Sequence, residues 1–283
     1  MPNYTIPSDL ITHIKDNRCA IFIGAGLSRR AKYPSWQELL NILIQAAVKR
    51  SLLVAGSQLH DQLLVHAARS EHALLTAQEL SNIFGPALFR EELANVFDDN
   101  RDPVLAHELI IKLPFSFALT TNYDRLIENA YVGEKRKMPT VYTYQQTQDF
   151  ASALWRGNYF IFKAHGDVQT RQTMVITERD YRELIYSAPG YRAIMSSVFT
   201  TKTILFMGAS LNDPEMKLLL NYLYDSFHGG GPVHYAFVSQ DEFTEVETRR
   251  WLQDYNVQCI LYKPTNNTHP EVDEFLQDIT AAV

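Results

Sequence analysis

The feature that most constrains the fold is a series of short, continuous apolar runs, separated by longer segments with helical periodicity. Each run is rich in β-branched and aromatic residues, as strands buried on both faces are. The runs occupy 19–24, 115–121, 159–164, 203–208, 234–239 and 257–262. Buried strands alternating with amphipathic helices are typical of a parallel sheet covered on both sides. The sequence therefore predicts an α/β fold with a doubly wound parallel sheet, whose ligand crevice lies at the carboxyl ends of the strands.

The interval 36–114 contains no strand-like run of this kind. Its segments WQELLNILIQAAVKR, DQLLVHAARS and ALFREELANVF repeat their apolar residues with the period of a helix. We expect a helical layer or insertion at 36–114 within a single domain spanning 1–283. A chain of 283 residues with 46% apolar composition is large enough to bury a substantial core. Elsewhere, Tyr142 and Tyr144 suggest an edge strand, to which we assign no function.

Net charge and cysteine content limit the ligands and the cellular compartment that we expect for this protein. The formal net charge of -6 argues against a broad cationic surface for nucleic acid. The basic run at 135–137 has the ordinary interpretation of a solvated loop. The two cysteines, Cys19 and Cys259, lie in strand-like runs and fit a reducing cytosol. No apolar stretch is long enough to span a bilayer, so we expect a cytoplasmic protein without direct nucleic-acid or membrane binding.

Two motifs follow the first two apolar runs. Gly24-Ala25-Gly26-Leu27-Ser28 comes directly after CAIFI and precedes a polar turn and a helix expected near Pro34 or Ser35. Glycines there permit close approach of a diphosphate, although a tight strand-to-helix turn also explains them. After the next run, Asn122 and Asp124 place an amide and a carboxylate at the mouth of the crevice, where helix capping is the alternative interpretation.

Two further motifs follow later strands. Lys163-Ala164-His165-Gly166-Asp167 offers His165 as a general base toward a ribose hydroxyl, or as an ordinary loop histidine. Gly208 and Ser210 follow the run TILFM and could contact a nucleotide, or belong to a helix start at Asp213-Pro214. An α/β sheet brings such loops side by side, so the four motifs together predict one nucleotide crevice.

The order and wording of these motifs, GAGLS, TTNYD, KAHGD and FMGASLNDP, resemble the SIR2 family and especially its bacterial branch. The resemblance extends from about Cys19 to the last strand and implies a Rossmann-like sheet of the SIR2 type, with NAD as the ligand. It implies that Asn122 lies near the reacting ribose, that Asp124 lies near the nicotinamide, and that His165 is the active-site histidine. The residues implied to hold the dinucleotide are Gly24, Ala25, Gly26, Ser28, Asp124, Gly208 and Ser210.

One departure from the family affects the expected activity. Deacylating sirtuins carry a module in which four cysteines hold zinc, and this chain has two cysteines in all. We therefore expect no zinc, and the resemblance does not extend to the region that shapes the acyl-lysine channel of those enzymes. Zinc-free bacterial SIR2-like proteins resemble NAD+ hydrolases of anti-phage defence, in which NAD depletion halts the infected cell. The resemblance implies cleavage of the nicotinamide-ribose bond of NAD, which serves as substrate, to give nicotinamide and ADP-ribose without a metal.

Two alternatives use the same crevice. One is protein deacylation or ADP-ribose transfer with a protein acceptor, and the other is a module that senses NAD or ADP-ribose without turnover. For hydrolysis we expect Asn122 to position water or the ribose, His165 to act on a ribose hydroxyl, and Asp124 to orient the carboxamide. The resemblance also implies a homo-oligomer and a separately encoded regulator, such as a HerA-type ATPase or an Argonaute-like protein.

Overall fold

A computed structural model describes residues 3–98, 101–209, 211 and 213–283. Seven strands form one sheet in the order β3-β4-β2-β1-β5-β6-β7, and every neighbouring pair is parallel. The predicted doubly wound parallel sheet is thus confirmed. The strands are β1 Cys19–Ile23, β2 Ala118–Thr120, β3 Val141–Thr143, β4 Ile161–Lys163, β5 Thr203–Met207, β6 His234–Ser239 and β7 Val257–Tyr262.

Helices connect these strands throughout the described ranges, together with two short 3₁₀ turns at Ser70–His72 and Arg171–Thr173. In chain order they are α1 Ser8–Lys15, α2 Ala25–Arg30, α3 Trp36–Lys49, α4 Gln58–Ala67, α5 Ala73–Phe84, α6 Pro86–Phe97, α7 Leu105–Lys112, α8 Leu126–Lys135, α9 Thr147–Arg156, α10 Glu178–Ser187, α11 Pro189–Thr201, α12 Pro214–Ser226, α13 Glu245–Tyr255 and α14 Glu271–Ala282. None of these helices has the length and apolar character needed to cross a bilayer.

Both faces of the sheet are buried, as the continuous apolar runs require. Successive residues of a strand point to opposite faces. Along β1, Ile21 and Ile23 join the core formed with α1, α7, α8 and α14, whereas Phe22 joins the core formed with α9 to α13. On the neighbouring β5, Leu205 and Phe206 divide in the same way. The alternation explains why these strands are apolar apart from Thr203 at the start of β5.

A third core lies within the helical layer. Helices α3 to α6 pack around Leu40, Leu43, Leu80 and Leu93. The same core takes in Tyr123, Leu126, Val168, Met174 and Ile176, which come from the segments that follow β2 and β4. The layer therefore lies against the carboxyl ends of those strands, next to the predicted crevice. Helix α7 instead packs on the sheet with α8 and α14, and the division of one domain at 36 and 114 stays a prediction.

A buried histidine in β6 should make the fold sensitive to acid. His234 is fully enclosed, its Nδ1 accepts the backbone N–H of Ile204 at 3.1 Å, and burial lowers its pKa to about 3. The unfolded chain binds a proton near the ordinary pKa of 6.5, so this contribution to stability is complete above that pH and is lost as the pH falls toward 3. From this group alone, the free energy of unfolding should fall by about 2 kcal/mol between pH 7.5 and pH 5.

Urea unfolding at the two pH values tests this expectation. His234→Asn keeps an acceptor for the Ile204 N–H but cannot titrate, so its stability should depend less on pH than that of wild type. The exposed His228→Asn serves as the matched control, with the wild-type dependence. Equal pH dependence of His234→Asn and wild type would contradict a neutral buried His234.

Candidate active site

The first motif forms a tighter junction than its sequence suggested. Helix α2 begins at Ala25, with Gly24 as its N-cap, so the motif itself opens a helix, and the expected polar turn lies between α2 and α3. The helix expected near Pro34 or Ser35 is α3, which begins at Trp36 and is capped by the Ser35 side chain. Helix α2 has six residues, which is too short for a periodic pattern to reveal it.

Three glycines of the predicted site pack backbone against backbone. The N–H of Gly24 donates to the carbonyl of Met207 at 2.9 Å, and the N–H of Gly26 donates to the carbonyl of Gly208 at 2.7 Å. A Cβ atom on Gly24 would lie 2.4 Å from the Gly208 oxygen, and one on Gly26 would lie 2.8 Å from it. Here the glycines allow the β1–α2 turn to meet the end of β5, and their contact with a diphosphate stays a prediction.

This contact lies where the sheet reverses its winding. From β1 the chain continues toward β2 on one side, whereas from β5 it continues to β6 on the other. Ligand crevices of open α/β sheets form at such a switch point, outside the carboxyl ends of the strands. The structure therefore places Gly24, Ala25, Gly26 and Gly208 at the predicted crevice, while Ser210 lies outside the described residues.

We expect Gly208→Ala to destabilise the fold. Gly208 has φ of +63°, a conformation that costs an L-residue energy, and its added Cβ would lie 2.4 Å from Leu27 Cδ1 and 2.6 Å from Leu27 N. The free energy of unfolding should fall by roughly 1–3 kcal/mol. Gly133→Ala is the control, because its Cβ would meet nothing within 4 Å and the residue lies inside α8. Chemical denaturation measures both, and equal stability of the two variants would contradict the close packing.

Ser28, Asn122 and Asp124 form one hydrogen-bonded cluster at the ends of β1 and β2. The Ser28 hydroxyl donates to Asp124 Oδ2 at 2.7 Å, and Asn122 Nδ2 donates to Ser28 Oγ at 2.9 Å. Asp124 Oδ1 also accepts the N–H of Leu126, the first residue of α8, at 3.0 Å. The Asp124 carboxylate therefore binds the first N–H of α8 and the Ser28 hydroxyl at once, and its contact with a ligand stays a prediction.

A buried lysine binds the backbone of the loop that carries Asn122 and Asp124. Lys163 Nζ donates to the carbonyls of Tyr123 and Asp124 at 3.2 and 2.7 Å. It also lies 2.8 Å from Glu128 Oε1 and 3.3 Å from Asp167 Oδ1. Burial alone would lower the pKa of Lys163, but Glu128 and Asp167 outweigh that effect and raise it, so the side chain is a buried cation. The sequence showed Lys163 only as part of a motif and gave it no role.

His165 lies at the end of the next strand, β4, within a second cluster. Its Nε2 is 3.2 Å from Glu215 Oε2 and 3.9 Å from Asp213 Oδ2. Tyr181 Oη lies 3.5 Å from His165 Nδ1 and donates to Asp213 Oδ2 at 2.8 Å. Burial would lower the pKa of His165, and the two carboxylates together raise it above its ordinary value. Among the described residues, no hydrogen bond joins His165 to the Ser28 cluster.

A second histidine near the site was missed from sequence. His107 of α7 borders a narrow, closely packed gap whose other lining residues are Ile23, Thr120, Asn122, Asp124 and Ile127. Burial lowers the pKa of His107 to about 4, so the ring is neutral, and within the described ranges its Nδ1 has no hydrogen-bond partner. In sequence His107 is one polar residue of an ordinary amphipathic helix, and nothing there connects it to Asn122.

Three potential metal-binding side chains meet in the His165 cluster. One ligand atom from each of His165, Asp213 and Glu215 lies within 4.8 Å of the others. Each is already engaged within the protein, since Glu215 pairs with His165 and Asp213 caps α12 through the N–H groups of Glu215 and Met216. These hydrogen bonds are sufficient to account for the arrangement of the three side chains.

Fold and site together define an α/β protein with a hydrogen-bonded polar cluster at the switch point of a parallel sheet. A model of the SIR2-like domain matches residues 116–260, which is more than half of the chain. The chain belongs to the SIR2-like family. The predicted family membership is confirmed by this match, which covers the loops after β2, β4 and β5.

Curated relatives cover most of this chain. The chain is 25% identical to NAD(+) hydrolase ThsA of Bacillus cereus, over 96% of this chain and 56% of the relative. It is 29% identical to NAD(+) hydrolase ThsA of Enterococcus faecium, over 85% and 50%. Defense-associated sirtuin 2 of Bacillus subtilis is 26% identical over 76% of this chain and 20% of its own length. The chain thus spans about half the length of the ThsA relatives.

Solved structures give a looser likeness. A sirtuin structure solved to study substrate affinity aligns over 98% of each chain with a TM-score of 0.44 and 14% identity. A second sirtuin, bound to a propionylated peptide, aligns over 96% of each chain with a TM-score of 0.43.

Proposed function

We propose that this protein is an NAD+ hydrolase that cleaves the nicotinamide-ribose bond and releases nicotinamide and ADP-ribose. The names of its ThsA relatives support this activity. The relative named as a defence-associated sirtuin supports a role in anti-phage defence through NAD depletion. The observation that carries the proposal is the hydrogen-bonded Ser28–Asn122–Asp124 cluster at the switch point. His165 follows β4, which is separated from β1 in the sheet by β2 alone.

The proposed chemistry follows from the positive charge that develops on the ribose during cleavage. Departure of neutral nicotinamide builds positive charge on the ribose, so the site needs a positioned water and groups that tolerate that charge. Asn122 donates its Nδ2–H to Ser28, and among the described residues its amide oxygen has no hydrogen-bond partner. That oxygen is available to accept from a water or a ribose hydroxyl. Asp124 orients the carboxamide, and His165 acts on a ribose hydroxyl as base or hydrogen-bond partner.

Binding of the dinucleotide requires partners to be exchanged. The Ser28 hydroxyl bonds to both Asn122 and Asp124, so a ligand that binds this hydroxyl would release one of those two bonds. In the proposal, Gly24, Ala25, Gly26, Gly208 and Ser210 complete the nucleotide contacts. Homo-oligomerisation in the cytoplasm, with control by a separately encoded HerA-type ATPase or Argonaute-like protein, remains a further part of it.

The test is product analysis with purified protein and NAD as the sole substrate. Wild type should release nicotinamide and ADP-ribose in equal amounts, measured by chromatography, and Asn122→Ala should release neither above background. Calorimetry of NAD binding accompanies the assay. Binding without release would favour a sensing module, whereas release that depends on an added protein acceptor would favour transfer of ADP-ribose or an acyl group.

A further inference from the structure

The first turn of α12 carries a carboxylate that points to the proposed base. Glu215 is the second residue of α12, and its N–H donates to Asp213 Oδ1 at 3.0 Å. Its carboxylate lies 3.2 Å from Nε2 of His165, which is 50 positions away in the sequence. The Glu215 side chain is only 7% exposed. A carboxylate is rarely buried to this extent unless it has a partner, and the partner here is the imidazole.

The surroundings hold Glu215 in this orientation. Asp213 caps α12 by accepting the N–H groups of Glu215 and Met216, which fixes the first turn. The helix N-terminus also favours a negative side chain. Tyr191 of α11 is fully buried, and its pKa is raised first by burial and then by the nearby charge of Glu215. Tyr181 of α10 donates to Asp213, so that carboxylate is held as well.

We infer that Glu215 is a positioning residue for His165, whose ring it orients by accepting the Nε2–H hydrogen bond; this inference rests on the proposed NAD+ hydrolysis. The bond fixes the tautomer and leaves the lone pair on Nδ1, the nitrogen that faces Tyr181. Carboxylates orient catalytic and metal-binding imidazoles in the same way elsewhere. Glu215 itself does not touch the substrate.

The proton balance is simple. His165 Nδ1 takes a proton from the attacking water, directly or relayed through a ribose hydroxyl that gives up its own proton and gains that of the water, and the ring becomes an imidazolium. The water oxygen bonds to the anomeric carbon, the bond to nicotinamide breaks with its electron pair remaining on the pyridine nitrogen, and His165 then releases the proton to solvent. The imidazolium formed in between is stabilised by Glu215 at 3.2 Å and Asp213 at 3.9 Å.

The first measurement is the pH dependence of kcat for wild type and Glu215→Gln. The amide keeps the size of the side chain but removes its charge, so kcat should fall about 10- to 100-fold while KM for NAD changes little. Without the carboxylate the pKa of His165 is lower. The acidic limb of kcat, where activity rises as the base form appears, should therefore move to lower pH. Damage to the fold alone would lower kcat without moving the limb.

The matched control is Glu245→Gln, which makes the same change in the first turn of α13, where the side chain is 78% exposed. It should behave as wild type in rate and pH profile. If Glu215→Gln also keeps kcat within about twofold and leaves the acidic limb in place, the inference is wrong.

A second readout does not depend on activity. Titration of the His165 ring by NMR, with its signal assigned by its loss in His165→Gln, should give a lower pKa in Glu215→Gln than in wild type or Glu245→Gln. An inactive wild type that shows this difference would overturn the proposed hydrolysis while the His165–Glu215 pair stands. An unchanged pKa in an active enzyme would overturn the pair and leave the hydrolysis intact.

Discussion

Replacement of His165 by alanine should lower kcat for NAD hydrolysis about 100- to 10,000-fold, the range that general acid–base assistance contributes. The imidazole is the group proposed to take the proton in the reaction. Its loss also leaves the buried Glu215 without its hydrogen-bond partner. NAD affinity should change far less than kcat, because the residues proposed to hold the dinucleotide lie in the Ser28 cluster and the glycine turns.

The measurement is steady-state kinetics of nicotinamide release, together with calorimetric NAD binding. His228→Ala is the control, because His228 is an exposed histidine outside the site and should keep wild-type rates. A kcat for His165→Ala within about tenfold of wild type would remove His165 from the chemistry. Loss of NAD binding with an unchanged kcat at saturation would instead make it a ligand contact.

The sheet could be predicted from sequence because burial on both faces leaves continuous apolar runs. Strands β6 and β7 occupy the very residues of the runs at 234–239 and 257–262. Strand β3 was not among the strands predicted from apolar runs, because it has three residues at the sheet edge and two of them, Val141 and Tyr142, are only partly buried. Such a segment carries too few apolar residues to form a run, although Tyr142, within it, and Tyr144, just beyond its end, did suggest an edge strand.

Part of the candidate site could be predicted for a topological reason. The carboxyl ends of parallel strands share one edge of the sheet, so motifs that follow strands converge whatever their separation in the chain. Ser28 and Asp124, 96 positions apart, meet in this way. The partners of His165 could not be predicted, because Glu215 and Tyr181 reach it from helices. Periodicity reveals that a helix exists but does not fix which side chain of its first turn points at a given loop.

Lys163→Met should destabilise the fold more than Gly208→Ala does. Methionine fills much of the same space but leaves Glu128 and Asp167 facing an apolar group, and Glu128 is buried with Oε2 already unpartnered. Removing one partner of a buried ion pair typically costs about 3–5 kcal/mol, because the other charge stays uncompensated. Chemical denaturation should show a loss of this size. Lys112→Met, which breaks a surface pair with Glu134 at 3.9 Å, should cost less than about 1 kcal/mol.

The double variant Lys163→Met/Glu128→Gln separates charge from position. Neutralising Glu128 removes the uncompensated carboxylate, so the double variant should be more stable than Lys163→Met alone. It should still hydrolyse NAD more slowly than wild type, because Lys163 Nζ also binds the carbonyls of Tyr123 and Asp124 and so anchors the loop that carries Asn122. If stability returned together with full activity, the ion pair would serve folding alone. Recovery of stability without activity would make Lys163 the link between the buried carboxylates of Glu128 and Asp167 and the geometry of the site.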